Sequence, residues 1–468
     1  MMEFASRIRR MGAVLSVAFV LTGPGAAADP GRFALISDIH FDPFAQPALA
    51  SELGPRAAAE WPAILGTSGG PAISGRGQDT NPALLSSTLS TLGAAAGDVD
   101  FVIVAGDLLA HRFDQKAAGA LGTAGSAELV RSLAARTALY VGGAVGRALP
   151  GRPVVISLGN NDSDCGDYRL DPGGPFLAAT RDAVRGLAGP AQLMPDFDRT
   201  FEAAGYYGLR HPTVPGAVIL VVNDVLWSTE YRDACGTRGT TAADAMMDWV
   251  EARLAEAARA GERVWLVHHI PTGIDPYATL QAQAGLSCAA RTRPLLREPY
   301  ASRFIGLLRD HAGTIQANFS GHTHQDSYRL VTVAGVAAGV EKMAPSISPI
   351  FGNNPGFHVF DYDRPSGDLR DFSTWFLSNL DEAARGGAAA WRQEYVFTQA
   401  YAQPDYSPGS VARVADGLAR SGTPAVRAFR QFYPVEHGEI GLDAMPVQVC
   451  AIGHLDVPTF AACHCGGG

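Results

Sequence analysis

Several short apolar runs in this chain end on side chains that can hold a cation or move a proton. "RFALISDIHFDP" closes on Asp38 and His40, "VDFVIVAGDLLAH" on Asp107 with His111 beyond it, and "RPVVISLGNND" on Asn160, Asn161 and Asp162. "ERVWLVHHIPTG" supplies His268 or His269, and "TIQANFSGHTHQD" supplies His322 and His324. Carboxylate, imidazole and amide oxygen in one place suit borderline or hard divalent ions such as Zn, Mn, Fe or Mg. Two neighbouring ions are held best when they share a carboxylate, and Asp107, alone at the end of its run, is the natural bridge. The chain contains no Walker phosphate loop.

The elements that must position these tips can be read from the apolar patterning. Continuous apolar runs of this length, with "GAVILVVNDVLW" as a further one, predict strands covered on both faces. Between them, "NPALLSSTLSTLGAAA", "SAELVRSLAARTALYVGGAV" and "TAADAMMDWVEARLAEAARAG" carry apolar residues at helical spacing, the last closed by Gly261. Alternating strands and helices predict a layered α/β architecture, in which ligands sit beyond the strand C-termini. Residues 162–200 and 271–300 have weak periodicity and read as long loops over the site. "FHVFDYDRPSGDLRDFSTWF" reads as a hairpin, after which the composition shifts near Leu380 and two helices are expected, at "AAWRQEYVFTQAYAQ" and "GSVARVADGLARS".

The N-terminus places Arg7, Arg9 and Arg10 before an apolar run from Met11 to Leu21 and small residues at Ala26 to Ala28. That is the pattern of a secretory signal peptide over residues 1–28, cleaved near Ala28, and the run is too short for a transmembrane anchor. A periplasmic or secreted location follows. It accords with an even number of cysteines, Cys165, Cys235, Cys288, Cys450, Cys463 and Cys465. A disulfide from Cys450 to Cys463 or Cys465 is favoured over a metal site at the terminal Cys-His-Cys. The formal net charge of -9, with no basic run after residue 10, argues against nucleic-acid binding.

The order Asp-x-His, Gly-Asp, Gly-Asn-x-Asp, His and Gly-His-x-His resembles that of the calcineurin-like dimetal phosphoesterases. More narrowly, "AGDLLAHRFDQ", "HHIPTG" and "SISPIFGNNPGFHVFDYD" are similar to segments of their acid sphingomyelinase-like phosphodiesterase branch, and "GNND" also looks like the version in endopolyphosphatases. The resemblance implies a four-layer α/β/β/α sandwich of two mixed sheets. It assigns residues 29–380 to the catalytic domain and leaves 381–468 as a small helical, disulfide-containing extension. It implies two divalent metal ions, one held by Asp38, His40, Asp107 and His324, the other by Asp107, Asn160, His269 and His322. His269 takes the ligand role over His268 because it directly precedes Ile-Pro, and on a strand only one of two consecutive side chains faces inward.

One position departs from the family. Where many members carry a histidine after the metal-binding asparagine, this chain has Asn161, whose amide can contact phosphate but cannot deliver a proton. His111 is then the candidate acid and phosphate contact, and Asn353 and Asn354 are candidate substrate contacts. The expectation is an exported phosphoesterase that uses metal-activated water on phosphodiesters or phosphoanhydrides. Its small phosphorylated substrate is a phosphodiester, a nucleotide, polyphosphate or a phospholipid head group. The alternatives are a polyphosphatase or nucleotide phosphohydrolase, and a non-catalytic metal- and phosphate-binding protein.

Overall fold

The computed structural model describes residues 30–67, 72–122, 125–232, 239–283 and 285–466. The expected leader at 1–28 and Cys235 lie outside the described residues. Strands β1 (Pro30–Ile36), β2 (Phe101–Val104) and β3 (Val154–Ile156) are entirely or almost entirely buried, as continuous apolar runs demand. They run parallel in one sheet. The strands β4 (Tyr207–Arg210), β5 (Ala217–Val221), β6 (Arg263–Val267), β7 (Ile315–Ser320), β8 (Ser327–Val333) and β9 (Val336–Met343) form a second. The chain then returns to the first sheet with β10 (Gly356–Asp363), β11 (Leu369–Leu377) and β12 (Trp391–Val396). Orders are β12-β11-β10-β1-β2-β3 and β4-β5-β6-β7-β9-β8, and both sheets mix parallel and antiparallel pairs.

The sheets meet face to face through aromatic rings. Phe33 on β1 stacks between Phe101 and Phe360 of its own sheet, with centroids 5.2 and 4.8 Å away, and meets Trp265 and Phe319 of the other edge-on at 5.2 and 5.3 Å. All five are fully buried. Helices cover the outer faces. Pro82–Ala95 starts with Asn81 accepting a hydrogen bond from Leu84 N and proline at its first turn, and Ala127–Ala148 starts with Ser126 accepting from Leu129 N. The two pack on each other over the first sheet, while Gly239–Ala260, ended by Gly261 at φ 69°, packs on β6.

Two expectations are corrected. Residues 162–200 are not a continuous loop. Phe176, Leu177, Thr180, Val184 and Ala188 bury one face of the helix Pro175–Ala188 against β3, and a further helix follows at Phe197–Ala204. "AAWRQEYVFTQAYAQ" is chiefly β12, with only a single helical turn at Phe397–Ala400. Pairing with β11 satisfies an otherwise open sheet edge and overrides local propensity. The expected boundary at residue 380 therefore precedes the last strand of the first sheet. Helices Pro408–Leu418 and Met445–Gly453 pack on β8 and β9. Cys450 bonds to Cys463, one of the two expected pairings, and Cys465 to Cys288, so both thiols of the terminal Cys-His-Cys are in disulfides. No helix among the described residues is long and apolar enough to cross a membrane.

The Phe33 contacts fix the spacing of the two sheets. Phe33→Ala is expected to lower unfolding free energy by about 3–5 kcal/mol in urea with the disulfides intact, and a loss below about 1 kcal/mol would show that the sheets are held elsewhere.

Candidate active site

The strand tips continue to pair beyond the sheet. Asp38 N donates to Gly106 O (3.0 Å), His40 N to Asp107 O (2.9 Å) and Phe41 N to Leu108 O (2.8 Å), which seats the β1 tip on the β2 tip. Asp38, His40, Asp107, His322 and His324 all adopt left-handed φ between 45° and 68°. A non-glycine residue rarely does so, and such strain gathers where a constellation of side chains is over-determined. Close approach explains two neighbouring glycines. A Cβ at Gly159 would lie 2.1 Å from Asp107 Oδ1, and one at Gly321 would lie 2.0 Å from Ser37 Oγ.

The expected ligand residues converge on Asp107. His40 Nδ1 faces Leu109 O at 2.9 Å and His269 Nδ1 faces Ala105 O at 2.7 Å; a carbonyl only accepts, so both Nδ1 atoms donate. In the neutral rings the Nε2 lone pairs then point inward. They lie 3.4 and 3.3 Å from the same oxygen, Asp107 Oδ2. His40 Nε2 also lies 3.1 Å from His324 Nε2 and 3.7 Å from Asp38 Oδ1, and His324 Nε2 lies 3.5 Å from Asp38 Oδ1. On the other side, Asn160 Nδ2 donates to Asp167 (2.7 Å), which turns Asn160 Oδ1 toward His269 Nε2 (3.0 Å) and His322 Nδ1 (2.9 Å). Two acceptor-rich pockets thus share one carboxylate.

Such a donor set fits divalent cations. Buried lone pairs facing lone pairs repel unless positive charge lies between them. His324 Nδ1 has no hydrogen-bond partner among the described residues, so its ring is set by what its other nitrogen faces. The electrostatics of the metal-free protein show the same demand. Burial opposes charging of His40 and His269, yet Asp107 and its neighbours raise them to about 9 and about 10. Burial likewise opposes ionisation of Asp38, but His324 and His40 bring it down to about 2. Asp107 is held well below the usual carboxylate range against its burial by His269 and His40. Burial takes His324 down to about 3.

The remaining candidates divide. His268 lies outside the cluster, with Nδ1 donating to Asp224 Oδ2 at 2.8 Å, while Asp224 also accepts from Ile270 N (3.0 Å), so the pair holds the turn that aims His269 inward. Asp162 accepts from Leu108 N (2.8 Å) and Gly159 N (2.8 Å) and ties the two tips together. His111 lies at the mouth, stacked on His40 at 3.9 Å, with Nδ1 donating to Asp79 at 2.9 Å. The amide of Asn161 is turned onto Asp107 Oδ2 (3.0 Å) and does not face the opening. Asn353 and Asn354 differ from expectation as substrate contacts. They are 1% and 3% exposed; Asn353 donates to Ser346 Oγ (3.0 Å), and Asn354 donates to Val435 O (2.7 Å) and accepts from Arg76 (2.8 Å). They brace the segment behind the site.

Several residues at the site were not singled out from the sequence. Asp224 stands at the polar tip of β5 as the ligands do on theirs, and that position was its signal. Asp79, Lys116 and Tyr168 carried none, because they sit in loops or on a helix without a motif, and Phe351 lies in the family-like segment "SISPIFGNNPGFHVFDYD", where its neighbours Asn353 and Asn354 drew the attention. Tyr168 Oη lies 3.3 Å from His322 Nε2, and Phe351, 63% exposed, sets its ring 4.6 Å from that of His324.

A carboxylate shared between two imidazole-rich pockets, at the tips of two facing mixed sheets, is the site of a hydrolase that handles phosphate through divalent cations. The calcineurin-like phosphoesterase family model matches residues 31–326, and the chain belongs to that family of metal-dependent phosphoric ester hydrolases. A model of the acid sphingomyelin phosphodiesterase C-terminal region matches residues 333–465. Human acid sphingomyelinase-like phosphodiesterase 3b is 27% identical over 95% of this chain and 92% of its own length. A cyclic GMP-AMP phosphodiesterase of Mus musculus is 28% identical over 56% of this chain and 58% of its own. A solved dimetal phosphatase of Danio rerio superposes over 74% of this chain and 96% of its own with TM-score 0.43 and 11% identity.

The raised histidines make the metal-free protein sensitive to alkali. Stability from His40 and His269 is complete below their unfolded value of 6.5 and is lost as pH rises through about 9 and about 10. His324, held neutral down to about 3, works in the opposite sense and removes stability as pH falls below 6.5. In chelator the thermal midpoint is therefore expected to peak near the free imidazole value of 6.5 and to fall on both sides of it. Circular dichroism melts across pH 4–11 test this on the scale of ordinary His titration, and a midpoint still climbing at the alkaline end would exclude it.

Proposed function

We propose that this chain is an exported phosphodiesterase that also accepts phosphoanhydrides, with Asp38, His40, Asp107 and His324 holding one divalent ion and Asp107, Asn160, His269 and His322 a second. The observation that carries the reading is the convergence of two imidazole lone pairs on one oxygen of Asp107. Two ions at such a site supply an activated water near neutral pH and neutralise charge on the phosphoryl group. The signal-peptide pattern of residues 1–28 and the disulfides support export. Zn, Mn, Fe and Mg all suit these ligands. The names of the relatives support a diester as substrate, whether lipid head group or nucleotide.

Within the protein, His111 is the proton donor to the leaving oxygen. Asp79 fixes its Nδ1 as the hydrogen-bearing nitrogen and orients the ring. Lys116 donates to the same carboxylate at 2.6 Å, so Asp79 is not left as an uncompensated charge beneath the imidazole. Asn161 serves by fixing Asp107 through its amide and its backbone N–H, the latter at 2.8 Å from Oδ1. The catalytic unit is the paired sheets, whose last strand β12 ends at Val396, and the helices after it brace them.

Asp107→Asn is expected to lower bound metal and to reduce turnover at least ~10²-fold, the scale for losing one preorganised charge. Metal content by mass spectrometry and hydrolysis of bis(p-nitrophenyl) phosphate read the two effects. Full metal content in the variant would defeat the shared-carboxylate assignment, and metal-loaded wild type without turnover would favour a phosphate-binding protein. His111→Asn is expected to slow an alkyl diester by ~10²-fold and a p-nitrophenyl diester far less, since only the alkyl oxide needs a proton to leave. Equal losses on both would remove His111 from the acid role.

A further inference from the structure

Among the proposed metal ligands only His322 is half-buried, and the others are 5% exposed or less. His322 therefore marks where the cluster meets solvent. His111 stands at the mouth on the side of the first ion, against His40 and His324. Tyr168 stands on the side of the second, with Oη 3.3 Å from His322 Nε2.

The loop after β3 holds Tyr168 there in an unfavourable backbone conformation. Its φ of 55° is left-handed, which an aromatic residue rarely adopts. Tyr168 N donates to Asn160 O (2.8 Å), Arg232 N donates to Tyr168 O (2.9 Å), and the preceding Asp167 takes the Asn160 amide (2.7 Å). Such strain persists where the surroundings over-determine a side chain's position. The same loop supplies no donor from Asn161, whose amide is engaged by Asp107 Oδ2.

The direction of the Tyr168–His322 bond depends on the other ring nitrogen. Asp167 fixes Asn160 Oδ1 as an acceptor, so in the neutral ring His322 Nδ1 donates to it at 2.9 Å and Nε2 accepts from Tyr168 Oη. With Nδ1 occupied as a ligand, the neutral ring carries its hydrogen on Nε2 instead and donates to Oη. The phenolic hydrogen, which has no other hydrogen-bond partner among the described residues, is then free at the mouth.

Resting on the two-ion reading above, we propose that Tyr168 is a catalytic residue whose hydroxyl, released to donate once His322 is a metal ligand, binds a non-bridging oxygen of the substrate's phosphoryl group. It neither gives nor takes a proton. A fixed neutral donor of this kind stabilises charge that gathers on the phosphoryl oxygens in the transition state. His111 serves the leaving oxygen and Tyr168 an oxygen that stays on phosphorus, so the two divide the work across the mouth.

Tyr168→Phe keeps the ring and removes only Oη. In the metal-loaded full chain it is expected to weaken binding of inorganic phosphate by ~10-fold in calorimetry, the scale of one hydrogen bond to a charged group. Turnover of bis(p-nitrophenyl) phosphate should fall by ~10–10²-fold, with bound metal unchanged by mass spectrometry. A residue that only braces His322 would lower metal affinity instead, and excess metal would restore both phosphate binding and turnover; that recovery overturns the proposal. Nitrogen NMR of histidine-labelled wild type needs no variant: the His322 hydrogen should sit on Nδ1 in chelator and on Nε2 with Zn, and one that stays on Nδ1 overturns it. Loaded wild type that binds no phosphate also overturns it. Loaded wild type that binds phosphate but turns over no diester counts against the phosphodiesterase reading, and the calorimetry still decides the role of Tyr168.

Discussion

Asp107 Oδ2 has two imidazole nitrogens within 3.4 Å, and in the neutral rings neither carries a hydrogen toward it, because the other nitrogen of each donates to a backbone carbonyl. In a fully buried setting this arrangement is unfavourable without positive charge among the acceptors. The surrounding structure is organised around holding it. Asp38, Asp107 and Asn160 come from the first sheet, whereas His269, His322 and His324 come from the second. The cluster forms only if the sheets face each other at the spacing set by the aromatic core around Phe33. Left-handed backbone at five of its members and close glycine contacts at Gly159 and Gly321 are the local consequences.

Donors decide what each buried carboxylate does. Asp162, Asp224 and Glu341 accept backbone N–H groups, from Leu108, Ile270 and Thr272 among others, and so serve as fasteners between loops. Asp79 accepts from His111 and Lys116 and orients a ring. Asp107 accepts from the backbone and side-chain amides of Asn161 and in addition faces two inward imidazole nitrogens. Burial raises Asp162 to about 7 while Asp107 is held low, although only a short loop separates them in space. The residue type is the same throughout, and the neighbours assign the role.

That distinction explains what could be read before any coordinates. Strand tips with ligand-type residues in a fixed order are local facts of the chain, so a layered α/β fold and its cluster were legible from Asp38 to His324, and the family resemblance implied the sandwich. His268 and His269 were separable by alternation, and the structure gives them different partners. Asp79 was not legible, because it reaches His111 from 32 residues away out of a loop without periodicity. β12 was misread as a helix because its reason for being a strand is the open edge of β11, a fact of the sheet and not of its own residues. Asn353 and Asn354, candidates from their place in a family-like segment, are buried braces.

The chain beyond residue 380 contributes to the site through the loop after His269. Thr272 N is held by Glu341 at 3.1 Å, and the carbonyls of Thr272 and Ile274 accept from the buried Arg329 at 3.2 Å. Ile274 then enters a small apolar cluster with Val447, Cys450, Ala451 and Phe460, and Cys465 ties the same region to Cys288. Arg329 and Glu341 belong to β8 and β9, on which Met445–Gly453 and Pro408–Leu418 lie. Exposure of that face would admit water to a buried arginine and to the ties beneath it. The C-terminal helices therefore keep dry the bonds that hold the loop after His269, and their disulfides act on that loop from behind.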